Sequence, residues 1–259
     1  MRSSFNNRKI ALVTGGAKRL GQAIAFGLAE AGWDIVVHYG TSRQEAESTV
    51  EHIRTLGRRA VAIQCDLSNE GDVRDLLQNA NSVFGKLSCV VNNASLFDYD
   101  AVANFSVECL ERHMRVNLAS PILLAKALHD MTDEGEQAVV INLLDQKLYN
   151  LNPDFLSYTL SKAALDSATV MLAQALAPKV RVVGVAPGLT MISHLQTHEE
   201  FALTHAMSPL GESSRPEDIA QAVVFAAGNR AMTGTTMLVD GGQHLMRMTR
   251  DFSLINRNN

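Results

Sequence analysis

The chain has 259 residues, of which 46% are hydrophobic and 19% are charged, and its formal net charge is −4. This length suits one large α/β domain, and the lack of a long basic run argues against nucleic acid as a partner. No window is apolar for long enough to span a membrane. The polar N-terminal arm lacks the apolar core of a secretory signal, and three cysteines without metal-ligand spacing suit a reducing compartment. We therefore expect a cytoplasmic protein without a metal site.

Short apolar runs alternate with longer helical patterns along the chain. The predicted strands span 10–14, 34–39, 60–65, 87–92, 137–143, 179–185 and 235–239. The predicted helices span 19–31, 44–56, 69–84, 107–131, 155–176 and 216–227, with a kink or an internal break at Pro121.

Several of these strands are almost continuously apolar, which is typical of a parallel sheet covered on both faces. Regular alternation of strands and helices predicts a doubly wound sheet. We therefore predict one α/β domain over residues 1–259, a Rossmann-type parallel sheet of about seven strands with helices on both faces. Segment 155–176 is apolar on more than one face, which favours packing on the sheet inside and a symmetry-related copy outside; a deeply buried helix is the alternative.

A glycine-rich turn follows the first strand directly. It reads Thr14-Gly15-Gly16-Ala17-Lys18-Arg19-Leu20-Gly21 and opens the first helix. Glycine permits a tight turn and a close approach of backbone to phosphate, while a helix N-terminus offers free amides and a favourable dipole to an anion. This placement predicts a nucleotide diphosphate site rather than a plain turn.

The end of the second strand indicates which nucleotide is bound. In NAD-selective sites, an acidic residue about 20 positions after the glycines holds the ribose hydroxyls, but none occurs between His38 and Arg43. Arg43, with Ser42 and His38, suits a 2′-phosphate instead. We therefore predict NADP(H), and capping of the next helix is a second role open to Ser42.

Tyr158 and Lys162 are four residues apart in a predicted helix, so they lie on one face. A free tyrosine has a pKa of about 10, and a nearby ammonium lowers it by stabilising the phenolate. This pair is the candidate for proton transfer. Asn117 lies within the preceding predicted helix, where asparagine is unfavourable, so it also points to a function.

Taken in this order, these segments resemble the short-chain dehydrogenase/reductase family over essentially the whole chain. Two further segments share the resemblance, Asn92-Asn93-Ala94 after the fourth strand and Asp240-Gly241-Gly242 near the end. The resemblance implies an oxidoreductase and a homo-oligomer, a tetramer. It implies that Tyr158 transfers the proton, that Lys162 tunes it and holds the nicotinamide ribose, and that Asn117 holds a water for proton resupply.

The same resemblance implies the cofactor-binding positions, which follow the predicted strands or belong to the catalytic pair. They are Gly15, Lys18, Arg19, Leu20, His38, Tyr39, Ser42, Arg43, Asp66, Leu67, Asn93, Ala94, Tyr158, Lys162, Pro187, Gly188 and Thr190. The segment at about 189–215 is expected to be a mobile substrate lid. The tail at 243–259 is expected either to cross a subunit interface or to be a partly frayed terminus.

Two departures from the family pattern resemble pteridine reductases. Arg19 replaces the middle glycine of the turn, and Asp145 replaces a serine thirteen residues before Tyr158. A carboxylate repels a substrate carbonyl oxygen unless protonated, but it can accept hydrogen bonds from an amino-heterocycle or relay a proton with the tyrosine. Phe97 stands where pteridine reductases have an aromatic that sandwiches the pterin, and Ser95 is close by.

We therefore expect an NADPH-dependent reductase acting on a small cyclic substrate of the pterin or dihydrofolate type. The predicted catalytic residues are Asn117, Asp145, Tyr158 and Lys162, and the predicted substrate residues are Arg19, Ser95, Phe97, Asp145 and Tyr158. Two alternatives stay open: a carbonyl reductase or alcohol dehydrogenase acting on another small molecule, and a non-catalytic NADP-binding sensor.

Overall fold

Seven parallel strands form one sheet in the computed structural model, which describes residues 9–193 and 195–255. They are β1 (Ile10–Val13), β2 (Asp34–Tyr39), β3 (Ala60–Gln64), β4 (Cys89–Asn92), β5 (Ala138–Leu143), β6 (Val180–Pro187) and β7 (Thr236–Val239). Their spatial order is β3-β2-β1-β4-β5-β6-β7, so the direction of winding reverses between β1 and β4. In open α/β sheets, the crevice outside the carboxyl ends of the strands at such a reversal is where ligands bind.

Helices cover both faces of the sheet, which confirms the predicted fold class. The described α-helices are α1 (Arg19–Glu30), α2 (Arg43–Thr55), α3 (Glu70–Phe84), α4 (Val107–Met114), α5 (Ser120–Met131), α6 (Leu156–Ala175), α7 (His198–Ala206) and α8 (Pro216–Gly228). Buried side chains of α1, α2 and α8 pack on one face, and those of α3, α5 and α6 pack on the other. No helix in the described part of the chain has the length and apolarity to cross a membrane.

The first strand shows why its sequence is apolar throughout. Ala11 and Val13 belong to the core on one face, and Ile10 and Leu12 to the core on the other, because successive side chains of a strand point to opposite faces. All four are at most 2% exposed. A strand covered on both sides therefore has no position that favours a polar residue.

The predicted bounds agree with the observed ones to within two residues except in two places. The predicted helix 107–131 is divided, since α4 ends at Met114, a π-helical turn follows, and α5 begins with Pro121 in its first turn. Proline lacks an amide hydrogen and is tolerated there. The predicted lid contains α7, which was not predicted, although Thr197 and Glu200 form a capping box at its start, a sequence signal for a helix.

The outer face of α6 carries exposed apolar side chains. Leu160, Val170 and Met171 are 46%, 44% and 67% exposed, whereas Leu165 is 1% exposed. The helix is therefore buried on its sheet side only in this single chain, and the packing of a second copy on its outer face stays a prediction.

Candidate active site

Partly buried hydrogen bonds hold the loop between β1 and α1 against the end of β4. The Thr14 hydroxyl accepts the backbone amides of Asn93 and Ala94, each at 3.0 Å. The side-chain amide of Asn93 donates to the Thr14 carbonyl oxygen at 2.9 Å. Gly15 has φ +61°, and a Cβ at Gly21 would lie 2.1 Å from the Gly15 carbonyl oxygen. The tight loop therefore requires glycine at both positions.

The N-terminus of α1 is open in a way that suits an anion. Lys18 at its N-cap makes no side-chain capping bond, and the first turn contains no acidic residue. By contrast, α3, α4 and α7 are capped by the side chains of Asn69, Ser106 and Thr197. Among the described residues, no side chain caps the first amides of α1, so these amides suit the diphosphate of a dinucleotide.

Arg19 keeps a glycine-like backbone at the position of the family's middle glycine. Its φ is +53°, in the left-handed region that costs a non-glycine residue about 1–2 kcal/mol. Its guanidinium donates to the Ile192 carbonyl oxygen at 2.7 Å, which joins the glycine loop to the predicted lid. The side chain also lines the cleft described below, where the predicted contacts to phosphate and substrate would be made.

His38 lies beneath the glycine loop rather than at its surface. It is 2% exposed, its Nδ1 accepts the Gly15 amide at 3.0 Å, and its Nε2 is 3.0 Å from the Cys65 carbonyl oxygen. Burial lowers the pKa of His38, so the neutral ring donates from Nε2. This placement corrects the expectation that His38 contacts a 2′-phosphate, because both ring nitrogens are already bonded to backbone, one to the glycine loop and the other to Cys65 after β3.

Arg43 and Ser42, the other predicted 2′-phosphate contacts, are at the start of α2. The exposed Arg43 donates to a carboxylate oxygen of Glu47 at 2.8 Å. Ser42 is the N-cap residue of α2, but its hydroxyl makes no capping bond. The second role left open for Ser42 is therefore not realised in this structure.

Two predicted cofactor-binding residues, Asp66 and Leu67, follow β3. Asp66 is exposed, and its Oδ1 accepts the amide and the hydroxyl of Ser68 at 2.9 and 2.8 Å. These bonds form a local turn and lower the pKa of Asp66. Leu67 is buried next to it, and Tyr39, at the end of the adjacent β2, is half-buried.

Tyr158, Asp145 and Lys162 meet at the carboxyl end of β5. The Tyr158 hydroxyl donates to Asp145 Oδ2 at 2.7 Å, and the Lys162 ammonium donates to the Leu143 carbonyl oxygen at 2.7 Å. Tyr158 and Lys162 are 6% and 3% exposed. Burial raises the pKa of Asp145 and lowers the pKa of Lys162 to about 8.

The environment of Tyr158 reverses the expectation that Lys162 lowers its pKa. Burial and the adjacent Asp145 carboxylate hold the pKa of Tyr158 well above its ordinary value. Lys162 Nζ lies 5.7 Å from the centre of the Tyr158 ring and bonds to backbone instead. A phenol that donates to a carboxylate retains its proton, so Tyr158 is arranged as a donor, and it titrates together with Asp145.

The π-helical turn Arg115–Ala119 positions Asn117, which is 1% exposed. Its oxygen accepts the Leu96 amide at 2.8 Å, and its nitrogen donates to the Leu96 carbonyl oxygen at 3.1 Å and to the Ser161 hydroxyl at 3.0 Å. Ser161 precedes Lys162 in α6. Asn117 therefore ties the loop after β4 to the catalytic helix, and its water-holding role stays a prediction.

Aromatic rings form one wall of the site. Phe97 stacks on Phe155 with ring centres 4.2 Å apart and meets the Tyr158 ring edge-on at 4.7 Å. Phe155 is fully buried and has φ +54° immediately before α6, a strained conformation for a non-glycine residue. Ser95 is exposed, and its hydroxyl donates to a neighbouring carbonyl. Phe97 therefore lies at the cleft beside the Tyr158 ring.

One cleft of about 270 Å³ brings much of the predicted site together. The predicted residues that line it are Arg19, Leu20, Asn93, Ser95, Phe97, Asp145, Tyr158, Lys162, Pro187, Gly188 and Thr190. The other predicted residues are Gly15, Lys18, His38, Tyr39, Ser42, Arg43, Asp66, Leu67, Ala94 and Asn117. These lie in the glycine loop, at the ends of β2 and β3, or behind the cleft wall.

Gln243 fixes the loop after β6 but was not predicted. Its side-chain oxygen accepts the Leu189 amide at 2.7 Å, and the residue is fully buried. The Thr190 hydroxyl lies 2.7 Å from that of Ser214 and donates to the Gly188 carbonyl oxygen at 2.9 Å. The loop is therefore held on both sides.

The C-terminal segment supplies a wall of the cleft that the sequence did not predict. Its cleft-lining residues are Asp251, Phe252 and Ser253. Leu254 packs in one buried cluster with Phe155 and Tyr158. The described part of the tail thus folds onto the site of its own chain, and residues 256–259 lie outside the described residues. Its two short 3₁₀ turns, Gln243–Leu245 and Phe252–Leu254, are too short to leave a hydrophobic period in the sequence.

Known proteins resemble this chain over most of its length. The family model described as enoyl-(acyl carrier protein) reductase matches residues 15–244. A solved FolM alternative dihydrofolate reductase 1 from Brucella canis, complexed with NADP, is 39% identical with a TM-score of 0.89 and covers 97% of this chain and 98% of its own. A solved blue fluorescent protein from a metagenomic library, in complex with NADPH, is 29% identical with a TM-score of 0.83 and covers 92% and 98%.

A relative named for a different activity also aligns over most of its length. L-Rhamnose 1-dehydrogenase (NAD(P)(+)) from Sphingomonas sp. strain SKA58 is 32% identical over 245 residues, which are 92% of this chain and 96% of that protein. The order of the strands, the glycine loop, the tyrosine–lysine pair and these matches agree, and the chain belongs to the short-chain dehydrogenase/reductase family.

Proposed function

We propose that this protein is an NADPH-dependent reductase whose preferred substrates are pterins or dihydrofolate-like compounds, reduced at a cyclic C=N or C=O bond. The observation that carries the proposal is the Tyr158–Asp145 hydrogen bond of 2.7 Å, formed beside the Phe97 ring in one cleft. The two solved FolM proteins from Brucella, each 39% identical to this chain, are named as alternative dihydrofolate reductases, which supports the same substrate class.

The residues present fit NADP(H). The first amides of α1 suit the diphosphate, Ser42 and Arg43 suit the 2′-phosphate, and Lys162 suits the nicotinamide ribose. The solved neighbours described above contain NADP or NADPH. When bound, the reduced cofactor supplies the hydride.

The proton comes from this chain's own residues. Tyr158 holds its proton on the phenol oxygen, within reach of a substrate atom in the cleft. Asp145 accepts that hydroxyl and holds the phenol oxygen in place, and burial of Tyr158 limits the access of water. The Lys162 ammonium places a positive charge beside the developing phenolate, which favours release of the proton.

The same groups suit a flat amino-heterocycle. A planar ring can pack against the half-buried Phe97, as aromatic rings do, while its N–H groups donate to Asp145. A simple carbonyl substrate has no such donor, and an ionised Asp145 would repel its oxygen. The carboxylate therefore favours a donor-bearing ring over a plain ketone or aldehyde.

A sugar or other carbonyl substrate is the second candidate. It is favoured by relatives such as L-rhamnose 1-dehydrogenase and a glucose 1-dehydrogenase of Bacillus subtilis, 31% identical over 245 residues. This alternative predicts turnover of carbonyl compounds and indifference to the loss of the Phe97 ring.

Oxidation of NADPH, followed by absorbance with dihydrobiopterin or dihydrofolate as the second substrate, tests the proposal. Phe97→Ala should raise KM about tenfold or more, the scale of one lost aromatic contact. Phe105→Ala, which removes a 42%-exposed ring outside the cleft, should not. Carbonyl turnover without pterin turnover would establish the second candidate, and NADPH binding without any turnover would indicate a sensor.

A further inference from the structure

A buried ion pair anchors the C-terminal segment beside the catalytic residues. Lys147 Nζ lies 2.9 Å from Asp251 Oδ2 and donates to the Asp154 carbonyl oxygen at 2.5 Å. The side chains of Lys147 and Asp251 are 3% and 16% exposed. Burial of two charges costs stability unless they are paired and fully hydrogen-bonded, and even then such pairs add little. Because one member of this pair, Asp251, lines the cleft, the pair points to a role in the site.

The remaining contacts of Asp251 fix its orientation. Its Oδ1 accepts the amide and hydroxyl of Ser253 at 3.0 and 2.6 Å. Its own amide donates to Asp154 Oδ2 at 2.8 Å, and that oxygen also accepts Arg250 Nε at 2.8 Å. Both carboxylate oxygens and the backbone of Asp251 are thus held, so the segment closes the cleft in one defined position.

Lys147 connects this carboxylate to the proton donor. Its backbone amide donates to Asp145 Oδ1 at 2.8 Å, while its ammonium pairs with Asp251. The other oxygen of Asp145 accepts the Tyr158 hydroxyl. Asp145, Asp251 and Tyr158 all line the same cleft. The contacts therefore run without interruption from the C-terminal segment to the phenol.

We propose that Asp251 is a positioning residue of the reductase site: clamped by Lys147, it closes the cleft and supplies the negative charge that keeps the proton on the Asp145–Tyr158 pair. The proposal rests on the proposed function only in assigning Tyr158 as the proton donor. It places a determinant of the reaction in the C-terminal segment, 104 residues along the chain from Lys147. Lys147 lies in the 3₁₀ turn Gln146–Tyr149, called here the Lys147 turn.

Charges around the pair support this role. The Asp251 carboxylate raises the pKa of both Asp145 and Tyr158, whereas the Lys147 ammonium lowers the pKa of Asp145. Burial is the larger cause of both upward shifts. The other charged or titratable groups around this part of the site are Lys162 on α6, Asp154 in the loop before α6, and Arg250 on the C-terminal segment.

Because Asp251 and Lys147 carry opposite charges, replacing each of them should shift the ionisation of Asp145 in opposite directions. Asp251→Asn removes a negative charge, so Asp145 should ionise at a lower pH. Lys147→Gln keeps a donor for the Asp154 carbonyl but leaves the Asp251 charge unpaired, so Asp145 should ionise at a higher pH. A segment that only packs would loosen in both variants, admit water, and lower the ionisation pH in both.

The experiment is a ¹³C NMR titration of aspartate carboxyl groups in the full-length protein without substrate, with the Asp145 signal assigned from Asp145→Asn. Arg247→Gln is the matched control, because it removes a positive charge from an exposed position of the same segment outside the cleft lining; its titration should match the wild type. Opposite shifts in the two test variants support the proposal. Shifts in the same direction, or none in Asp251→Asn, overturn it.

Two further measurements test the proposal if one variant does not fold or if the enzyme is active. If Lys147→Gln does not fold, hydrogen exchange of the backbone amides of residues 249–255 is measured in Asp251→Asn. A lower ionisation pH of Asp145 with unchanged exchange supports the proposal. Faster exchange overturns it, because the segment has then loosened. In active enzyme, the acid limb of the kcat–pH profile of each variant should shift in the same direction as the ionisation pH of Asp145. The Kd for NADPH should stay unchanged. Because the NMR titration needs no turnover, failure of the proposed function would not be mistaken for failure of this inference.

Discussion

The two halves of the cleft are built in different ways. The cofactor half consists of loops that directly follow β1, β4 and β6, and short side chains such as Thr14 and Asn93 bond one loop to the next. The substrate half joins Phe97, the Lys147 turn and the C-terminal Asp251, which are far apart in the chain. The sheet fixes the first half, whereas tertiary packing fixes the second, so the second is where substrate choice can vary on a constant frame.

The largest expected effect comes from removing the Tyr158 hydroxyl, which lies between the cofactor half and the substrate half of the cleft. Tyr158→Phe removes the proposed proton donor and the bond to Asp145, so kcat should fall by about 10²–10⁴-fold, the range for general acid catalysis. The Kd for NADPH should change little, because the ring and its packing remain. Single-turnover kinetics and a fluorescence titration of NADPH measure the two quantities, and a variant that keeps more than half of its kcat would rule out this role.

A change in the cofactor half should act on binding instead. Gly21→Ala places a Cβ 2.1 Å from the Gly15 carbonyl oxygen and 2.5 Å from the Asn93 amide nitrogen, so the loop must move. We expect the Kd for NADPH to rise about 10–100-fold, the scale of an overpacking penalty. Gly228→Ala, also a helical glycine, is the control, because its Cβ would meet nothing within 4 Å. Equal Kd values for the two variants would show that the loop tolerates the shift.

The difference between the halves also explains what the sequence predicts well. The glycine turn, the asparagines after β4 and the Tyr158–Lys162 spacing are local patterns at the ends of regular elements, so their position in the order of strands predicts their place in the cleft. The seven strands follow from the same periodicity. α7 was missed although its capping box is visible, because the surrounding polar residues favoured a loop.

The roles of His38, Tyr158 and Asp251 depend on tertiary contacts that a local sequence pattern does not predict. The polar identity of His38 suggests a ligand contact, but only the fold shows that it supports Gly15 from below. The spacing of Lys162 and Tyr158 predicts a lowered phenol pKa, yet burial and Asp145 raise it. Asp251 sits in an irregular tail, and its partner Lys147 is known only once the chain is folded.

The protonation state of Lys162 should affect both activity and stability. Burial lowers its pKa from 10.5 to about 8, so the ammonium is lost as pH rises through that value. We expect kcat/KM to fall about tenfold per pH unit above this point. The unfolded chain binds this proton more tightly between about 8 and 10.5, so the residue's contribution to the free energy of unfolding should rise over the same window. Urea unfolding of wild type and Lys162→Met at several pH values measures the stability contribution, and kcat/KM of the wild type is measured at the same pH values. A free-energy contribution of Lys162 that falls with pH, as kcat/KM does, would contradict the prediction.

The smallest expected effect is at the outer end of the cofactor half. Arg43 is exposed and pairs with Glu47 on the same helix turn, so it is free to reorient toward a 2′-phosphate at little cost. Arg43→Gln should reduce the preference for NADPH over NADH by about tenfold, the size of one hydrogen bond to a charged group, and less at high salt. Arg74→Gln is the matched control, since Arg74 makes the same kind of exposed pair with Glu70 in α3. If both variants kept the wild-type ratio of kcat/KM for the two cofactors, the 2′-phosphate would be recognised elsewhere, and Ser42, whose hydroxyl makes no capping bond to α2, would be the next residue to replace.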